Sequence, residues 1–341
     1  LKKCLIKTVG VIGLGMGGEH AKAWRKIGVK VALVCDTNLH RAEKLALKIG
    51  AKAVTDYRYL LDDKSIQALS IATPDHLHFD QARAALLARK HVMLEKPMTT
   101  NLKDAKALVK LSQGTGMQLA VGNVNRFVPQ FMHAKALASS GKLGKLFHVC
   151  GDYIHDMRNM LLWTPWRMNK RQPQDFWYAG AVHPLDLMRW VGGEIEEIFM
   201  YATKGSIPMF PLLSDFTANM KFTSGATGRL WATAGIRRRP EHEVRFSAYG
   251  DLGSIETDLS PVARVHLHPR DKKKTDWVHK QFQPTYGHPV DKELRAFRAS
   301  LAAGRRPEVD VIDGARTMAA LYAAMQSVKT GKPVKVEQIP R

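Results

Sequence analysis

A lysine held at the end of an apolar strand carries the strongest chemical signal in this sequence. Leu94-Glu95-Lys96-Pro97 closes the strand His91–Leu94, and Glu95 follows Gly18, the last glycine of a Gly-x-Gly-x-x-Gly turn, by 77 residues. An ammonium fixed there, in a domain that binds a dinucleotide, suits redox chemistry on an alcohol or ketone. It can bond the substrate oxygen and stabilise the charge that develops as a hydride leaves.

The turn itself reads Gly13-Leu14-Gly15-Met16-Gly17-Gly18, after a strand and at the opening of a helix. Gly13 permits the tight turn, Gly15 lets the backbone approach a pyrophosphate, and Gly18 lets helix and strand pack closely. Met16 lies inside the turn and belongs with the cofactor-binding set. The N–H groups of the helix start face the phosphates. Asp36 ends the second strand 18 residues after Gly18. A carboxylate there accepts from both ribose hydroxyls and repels a 2′-phosphate, which favours NAD over NADP. Arg41 nearby softens that preference. Two plainer readings stand beside this one: a glycine turn in another doubly wound protein, and Asp36 as a helix cap. Thr73-Pro74 ends a further strand, and ligands of open parallel sheets lie beyond the carboxyl ends of strands. Thr73, Pro74 and Glu95 are therefore expected on the nicotinamide side, with His76 and His78 just beyond. A histidine at a helix start also serves as a cap or a surface residue, but His78 is counted with the cofactor.

Alternating elements position these residues. Strands at Thr8–Ile12, Lys30–Cys35, Gln67–Ala72, His91–Leu94 and Gln118–Val121 are separated by helical segments. The helices are Glu19–Ile27, His40–Ile49, Leu77–Ala88 and Leu102–Leu111. This predicts an α/β fold with an N-terminal Rossmann domain, a doubly wound parallel sheet buried on both faces. The pattern changes after Gly122, so residues 1–122 form the NAD-binding domain and 123–341 a substrate-binding and oligomerisation domain. In the second part, helices are expected at Phe131–Leu137 and Pro184–Val191. Leu146–Ile154 is strand-like. Successive strands from Glu197 to Glu256, with turns such as Thr223-Ser224-Gly225, suggest an antiparallel meander. Helices Asp291–Ala303 and Gly314–Thr330 close the chain.

The bulk numbers exclude several classes. The chain has 341 residues, 45% hydrophobic and 24% charged, an ordinary globular balance that suits two domains. No apolar run reaches the length of a membrane span. Lys and Arg total 52 against 31 Asp and Glu, a net charge of +21. These residues are spread along the chain, with short clusters at Arg237–Arg239 and Lys272–Lys274 that look like turns. A basic surface or an anionic ligand accounts for them better than nucleic acid. Cys4, Cys35 and Cys150 lie far apart and suit a reducing compartment. A cytoplasmic location is expected. Because the chain starts at Leu1, a removed export signal stays open.

Together these residues resemble a family. The glycine turn, Ile71-Ala72-Thr73-Pro74-Asp75-His76-Leu77-His78, Lys90-His91-Val92 and Glu95-Lys96-Pro97 are similar to the glucose–fructose oxidoreductase / inositol dehydrogenase / MocA (Gfo/Idh/MocA) family. Val121-Gly122 with Asn125-Arg126-Phe127 resembles the start of its second domain, and Gly180–Leu187 its histidine helix. The resemblance implies a Rossmann domain plus an α+β domain with a large, mostly antiparallel sheet, one face of which often forms an oligomer interface. It implies a homodimer or homotetramer, and a sugar or cyclitol substrate oxidised or reduced at a ring carbon. It also places the family lysine at Lys96 and the family histidine at His183. The residues agree on the histidine. His183 and Asp186 are three apart on the expected helix and share a face, so the carboxylate can fix the imidazole tautomer. Pro184 is tolerated in a first turn, which sets His183 at a helix start. A histidine capping its own helix is the plainer alternative. One position departs from the family: Ala179 stands where many members carry an aspartate.

The stretch Asp152–Asp175 holds the expected substrate contacts. Tyr153, His155, Arg158, Trp166 and Arg167 join Lys96 and His183 in that set, since rings stack on sugar faces and arginines bond hydroxyls. Tyr153 and His155 share one face if the strand persists. His155 and His183 with Asp186 or Glu95 carry metal-capable donors, but neither spacing is diagnostic and no metal is assigned. In the leading reading NAD takes a hydride from a sugar-like alcohol while Lys96 and His183 handle the hydroxyl proton, with Asp186 supporting His183. A second reading has tightly held NAD oxidise a hydroxyl transiently, allow elimination of a glycosidic substituent, and return the hydride. A third is a non-catalytic NAD-binding sensor.

Overall fold

The computed structural model describes residues 3–169, 171, 174–204, 207, 210–237, 242–267, 278–283 and 287–341. Lys272–Lys274 and Arg238–Arg239, expected to form turns, lie outside the described residues, as does the side chain of Trp163. The chain divides into two compact units.

The first unit is built on strands β1 Thr8–Ile12, β2 Lys30–Cys35, β3 Lys52–Val54, β4 Ala68–Ile71, β5 His91–Leu94 and β6 Leu119–Val121. They pair in the order β3-β2-β1-β4-β5-β6, every pair parallel. Helices α1 Gly17–Lys26, α2 Leu39–Ile49, α3 Arg58–Asp62, α4 His78–Leu87 and α5 Leu102–Thr115 make the crossovers. Strands β4 and β5 are buried throughout, which is why they read as continuous apolar runs. The caps are local: the Asn38 side chain accepts the Arg41 N–H at the start of α2, and the Asn101 side chain accepts the Asp104 N–H at the start of α5. The strand order reverses between β1 and β4, the position where such sheets open a crevice at their carboxyl ends. The sequence reading missed β3, which is too short to show a period.

The second unit is a nine-stranded sheet. Its strands are β7 Leu146–His155, β8 Ile195–Thr203, β9 Asp215–Phe222, β10 Thr227–Thr233, β11 His242–Gly250, β12 Gly253–Thr257, β13 Val262–Leu267, β14 Val278–Gln281 and β15 Val334–Lys335. The order is β14-β13-β12-β11-β7-β10-β9-β8-β15, antiparallel except for β10 against β7. This corrects the simple meander. Strand β7 is inserted between β10 and β11, so the earliest strand of the unit is its central one. Helices α6 Pro129–Ser139, α7 Arg158–Trp163 and α8 Val182–Gly192 belong to this unit. A Cβ on Gly151 would sit 2.8 Å from Pro184 Cβ and 2.9 Å from Met188 Sδ, so the glycine lets α8 lie close on β7. On β8 and β9 the residues alternate: Ile198, Met200, Ala218 and Met220 are buried, while Tyr201 and Asn219 on the opposite face are exposed.

Helix α9 Val290–Ala302 and helix α10 Val311–Thr330 close the chain. The division differs from the expected boundary at residue 122. Pro289–Met318 clusters with the first unit, and α10 continues into the second from Ala319. The reason is apolar packing. Leu294, Phe297 and Leu301 of α9 join Trp24, Val31 and Met93 in one core, with the Trp24 and Phe297 rings edge-on at 6.5 Å. Among the described residues no helix is long and apolar enough to cross a membrane.

Candidate active site

In the first unit the glycine turn is fixed from below. Gly13 has φ +79°, and a Cβ there would meet Ala72 O at 2.7 Å and Thr73 Cγ2 at 2.8 Å, so only glycine fits. Its N–H donates to Cys35 O at 2.8 Å. At Gly15 and Gly18 a Cβ would meet nothing within 4 Å, which leaves the room a pyrophosphate needs above the turn. The close packing expected of Gly18 belongs instead to Gly17, where a Cβ would stand 3.0 Å from Val11 Cγ1. Met16 is exposed and sits immediately before α1. Asp36 is buried. One oxygen accepts the Leu14 N–H and the other the Asn38 N–H, both at 2.9 Å, and Arg41 Nη1 lies 3.4 Å away. The carboxylate is thus locked against the turn it would serve. These features fit a dinucleotide: a turn without side-chain bulk, and an acid held at the end of β2.

Thr73 donates its hydroxyl to Gln81 Oε1 at 2.6 Å. His78 joins two main-chain segments. It is fully buried, with Nδ1 2.8 Å from Pro97 O and Nε2 2.9 Å from Thr73 O. Both ring nitrogens are engaged by main-chain oxygens, so His78 ties the end of β4, with Thr73 and Pro74, to the Lys96–Pro97 segment. The Lys96–Pro97 peptide is cis. Lys96 follows β5 and is half-buried. Glu95 accepts from His20 Nε2 at 3.0 Å through Oε1 and from the Lys96 N–H at 3.2 Å through Oε2. His20 was not singled out from the sequence. Its signal is a polar residue four before Trp24 on the core-facing side of α1, where both are buried.

In the second unit, a π-helical turn Trp177–Ala181 runs directly into α8. Such turns recur at functional sites. Trp177 Nε1 donates to Leu321 O at 3.0 Å and anchors the turn. His183 lies in the first turn of α8, buried, with its ring stacked on Tyr153 at 5.6 Å and 18°. Asp186 meets a partner the sequence reading did not assign. Arg126 Nε and Nη2 donate to its two oxygens at 2.7 and 2.6 Å, with both side chains almost solvent-free. The guanidinium also lies 5.5 Å from the Trp190 ring centroid. The pair clamps the start of α8, and so the backbone that carries His183.

Tyr153 is the hub of this region. Its hydroxyl is 3.2 Å from His155 Nδ1, and the His242 ring lies 5.0 Å from both the Tyr153 and the His155 rings. Burial pushes the Tyr153 phenol up, opposed by the charge of Arg167. A Cβ on Gly180 would strike Tyr153 Cε1 at 2.7 Å and Phe176 Cε2 at 2.9 Å, so glycine lets the π-helical turn close over the ring. His242 was missed; it faces His155 across β7 and β11, but a histidine at the start of an alternating strand gives no sequence signal. Arg167 lies over the Trp166 ring at 4.5 Å and donates from Nε to Thr164 Oγ1 at 3.0 Å. Arg158 is partly buried, paired with Asp156 at 2.6 Å and bonded to Gly235 O at 2.9 Å, contacts that brace the loop. Ala179 is buried in the π-helical turn.

Both parts of the chain match known family models. Residues 7–123 match the description "Oxidoreductase family, NAD-binding Rossmann fold", and residues 131–256 match "GFO/IDH/MocA C-terminal domain". The scyllo-inositol 2-dehydrogenase (NAD(+)) of Bacillus subtilis is 27% identical over 339 residues, covering 96% of this chain and 95% of that protein. The inositol 2-dehydrogenase 2 of Saccharopolyspora erythraea is 27% identical over 98% of this chain and 96% of its own. A levoglucosan dehydrogenase in complex with NADH and levoglucosan has the same fold, with TM-score 0.89 and 23% identity over 97% of this chain and 99% of that one.

Proposed function

This chain belongs to the Gfo/Idh/MocA oxidoreductase family, an NAD-binding dehydrogenase of the sugar and cyclitol type, and from that premise we propose that Lys96 and His183 handle the proton of a ring hydroxyl as it is oxidised. The observation that supports this most is the position of Lys96. It follows β5 on the same carboxyl edge of the parallel sheet as the Gly13–Gly18 turn and Asp36. Bound NAD supplies the hydride acceptor. Asp36 holds the adenosine ribose through its hydroxyls. The Lys96 ammonium bonds the substrate oxygen and lowers its pKa, and His183 removes the proton. The Arg126–Asp186 clamp and the Tyr153 stack keep His183 from turning away. Tyr153, His155, Trp166 and Arg167 contact the sugar, with His242 added to that set. An inositol fits the reading, because relatives that align along nearly the whole chain are named inositol dehydrogenases. A homodimer or homotetramer is part of the reading, with the sheet face that exposes Tyr201 as the contact.

One observation favours the redox-neutral alternative: Ala179 is apolar and buried where the family resemblance implies a carboxylate. A single assay separates the two. Inositols, sugars, uronic acids and aryl glycosides are incubated with NAD while NADH absorbance and aglycone are followed together. Stoichiometric NADH supports the dehydrogenase; aglycone release without NADH supports transient oxidation. In the first case Lys96→Ala should lower kcat by about 10²-fold or more while NAD binding is retained. Near-normal turnover in that variant would remove Lys96 from the mechanism.

A further inference from the structure

His20 and Glu95 form a buried link between the helix that follows the glycine turn and the strand end that carries Lys96. His20 is fully buried, and its Nε2 lies 3.0 Å from Glu95 Oε1, so Nε2 carries the hydrogen and donates it. Its Nδ1 is buried with no hydrogen-bond partner. A buried polar atom left in that state is costly, and the bond that Nε2 makes is the compensation the structure offers. Glu95 is also held on a second side, and Gly122 leaves room beside it. Its Oε2 accepts the Lys96 N–H at 3.2 Å, and its Cδ and Oε1 lie 3.4 Å from where a Cβ on Gly122 would stand. Gly122 in turn donates its N–H to Leu94 O at 2.7 Å. The carboxylate is therefore tied to α1 and to the Lys96 backbone at once.

We propose that His20 is a positioning residue: through Glu95 it fixes the Lys96 backbone, so that the helix receiving the dinucleotide phosphates and the proton-handling lysine move as one piece. A displacement of about 1 Å at a reacting group can cost roughly 10²-fold in rate. Without the His20 donor, the Glu95 carboxylate has one fewer bond holding it, and the Lys96 N–H loses a fixed acceptor. His20 touches neither substrate nor cofactor in this scheme; it acts only through Glu95. The inference rests on the proposed role of Lys96, and its test keeps the two apart.

The test compares wild type, His20→Phe, His20→Gln, Glu95→Gln and the His20→Phe/Glu95→Gln double variant in the full chain. Amide hydrogen exchange at Lys96, followed by mass spectrometry without substrate, reads the link directly. Exchange should quicken roughly 10-fold or more in His20→Phe and Glu95→Gln, each of which removes one bond to the carboxylate position. His20→Gln retains an N–H donor and should recover most of the protection. With a turned-over polyol, kcat should fall roughly 10- to 100-fold in the same two variants, with the NAD dissociation constant of His20→Phe by fluorescence within about 2-fold of wild type. The double variant should be no worse than the poorer single, because the two residues act as one unit. Unchanged Lys96 exchange in both His20→Phe and Glu95→Gln overturns the inference, as does a loss confined to NAD affinity. A wild type that reduces no NAD with any polyol refutes the proposed function while leaving the exchange result standing. Should His20→Phe fail to fold, Glu95→Gln and His20→Gln carry the same comparison.

Discussion

Replacing Arg126 by methionine should destabilise the second unit severely, and removing Asp186 as well should restore most of the loss. The geometry sets the magnitude. Two charge-assisted bonds of 2.7 and 2.6 Å join the pair, and the side chains are 3% and 1% exposed. Arg126→Met leaves the Asp186 carboxylate buried with its guanidinium gone. Breaking such a pair on one side costs about 3–5 kcal/mol, whereas replacing both partners by apolar residues of similar volume is often close to neutral. Against a total stability of about 5–15 kcal/mol, the single substitution removes a large part. At about 2–4 °C per kcal/mol for a unit of 150–250 residues, the unfolding midpoint should drop by about 6–20 °C. Methionine keeps an unbranched apolar side chain at this position and forgoes the cation–π contact with Trp190. Thermal unfolding by circular dichroism at constant pH measures it, beside the Arg126→Met/Asp186→Leu double variant. A drop under about 3 °C in the single variant, or a double variant no more stable than the single, would refute the buried-charge reasoning. The clamp also makes a kinetic prediction: the double variant, although refolded, should lose turnover because the start of α8 no longer fixes His183.

Two further expectations follow from groups elsewhere in the first unit. Asp36→Ser removes the acid that accepts the Leu14 and Asn38 N–H groups and frees Arg41, now 3.4 Å away, to meet a 2′-phosphate. Because bonds to charged groups contribute about 1.5–3 kcal/mol, kcat/KM with NAD should fall roughly 10- to 100-fold while that with NADP rises; an unchanged NAD:NADP ratio would remove Asp36 as the selector. His91 is buried, accepts the Gln118 N–H at Nδ1, and has its pKa pushed below the usual 6.5 by burial. The unfolded chain binds a proton that the folded chain resists, so this contribution is fully present above about pH 6.5 and is lost as pH falls through the folded value. The urea midpoint should decline between pH 7.5 and 5, less steeply in His91→Gln; His133, shifted in the same direction by burial, accounts for a residual slope. Identical slopes in both proteins would discount His91.

The first domain could be read from its residues because its signals are local. Continuous apolar strands, a glycine turn that tolerates no Cβ at Gly13, and the asparagine caps of α2 and α5 each depend on neighbours within a few positions. The same holds for Lys96 at the end of β5 and His183 in the first turn of α8. Other features depend on residues far apart in sequence, and no local pattern announces them. Strand β7 sits between β10 and β11 because pairing in a sheet is chosen by the whole set of strands. Helix α9 joins the first unit because its apolar face completes a core begun at Trp24. The partners that matter most at the candidate site are of this second kind: Arg126 for Asp186 across 60 residues, His20 for Glu95 across 75, and His78 for Pro97 through its ring. Composition and spacing select which residue types can do chemistry; only burial, by removing water as a competing partner, decides which of them must bond to one another.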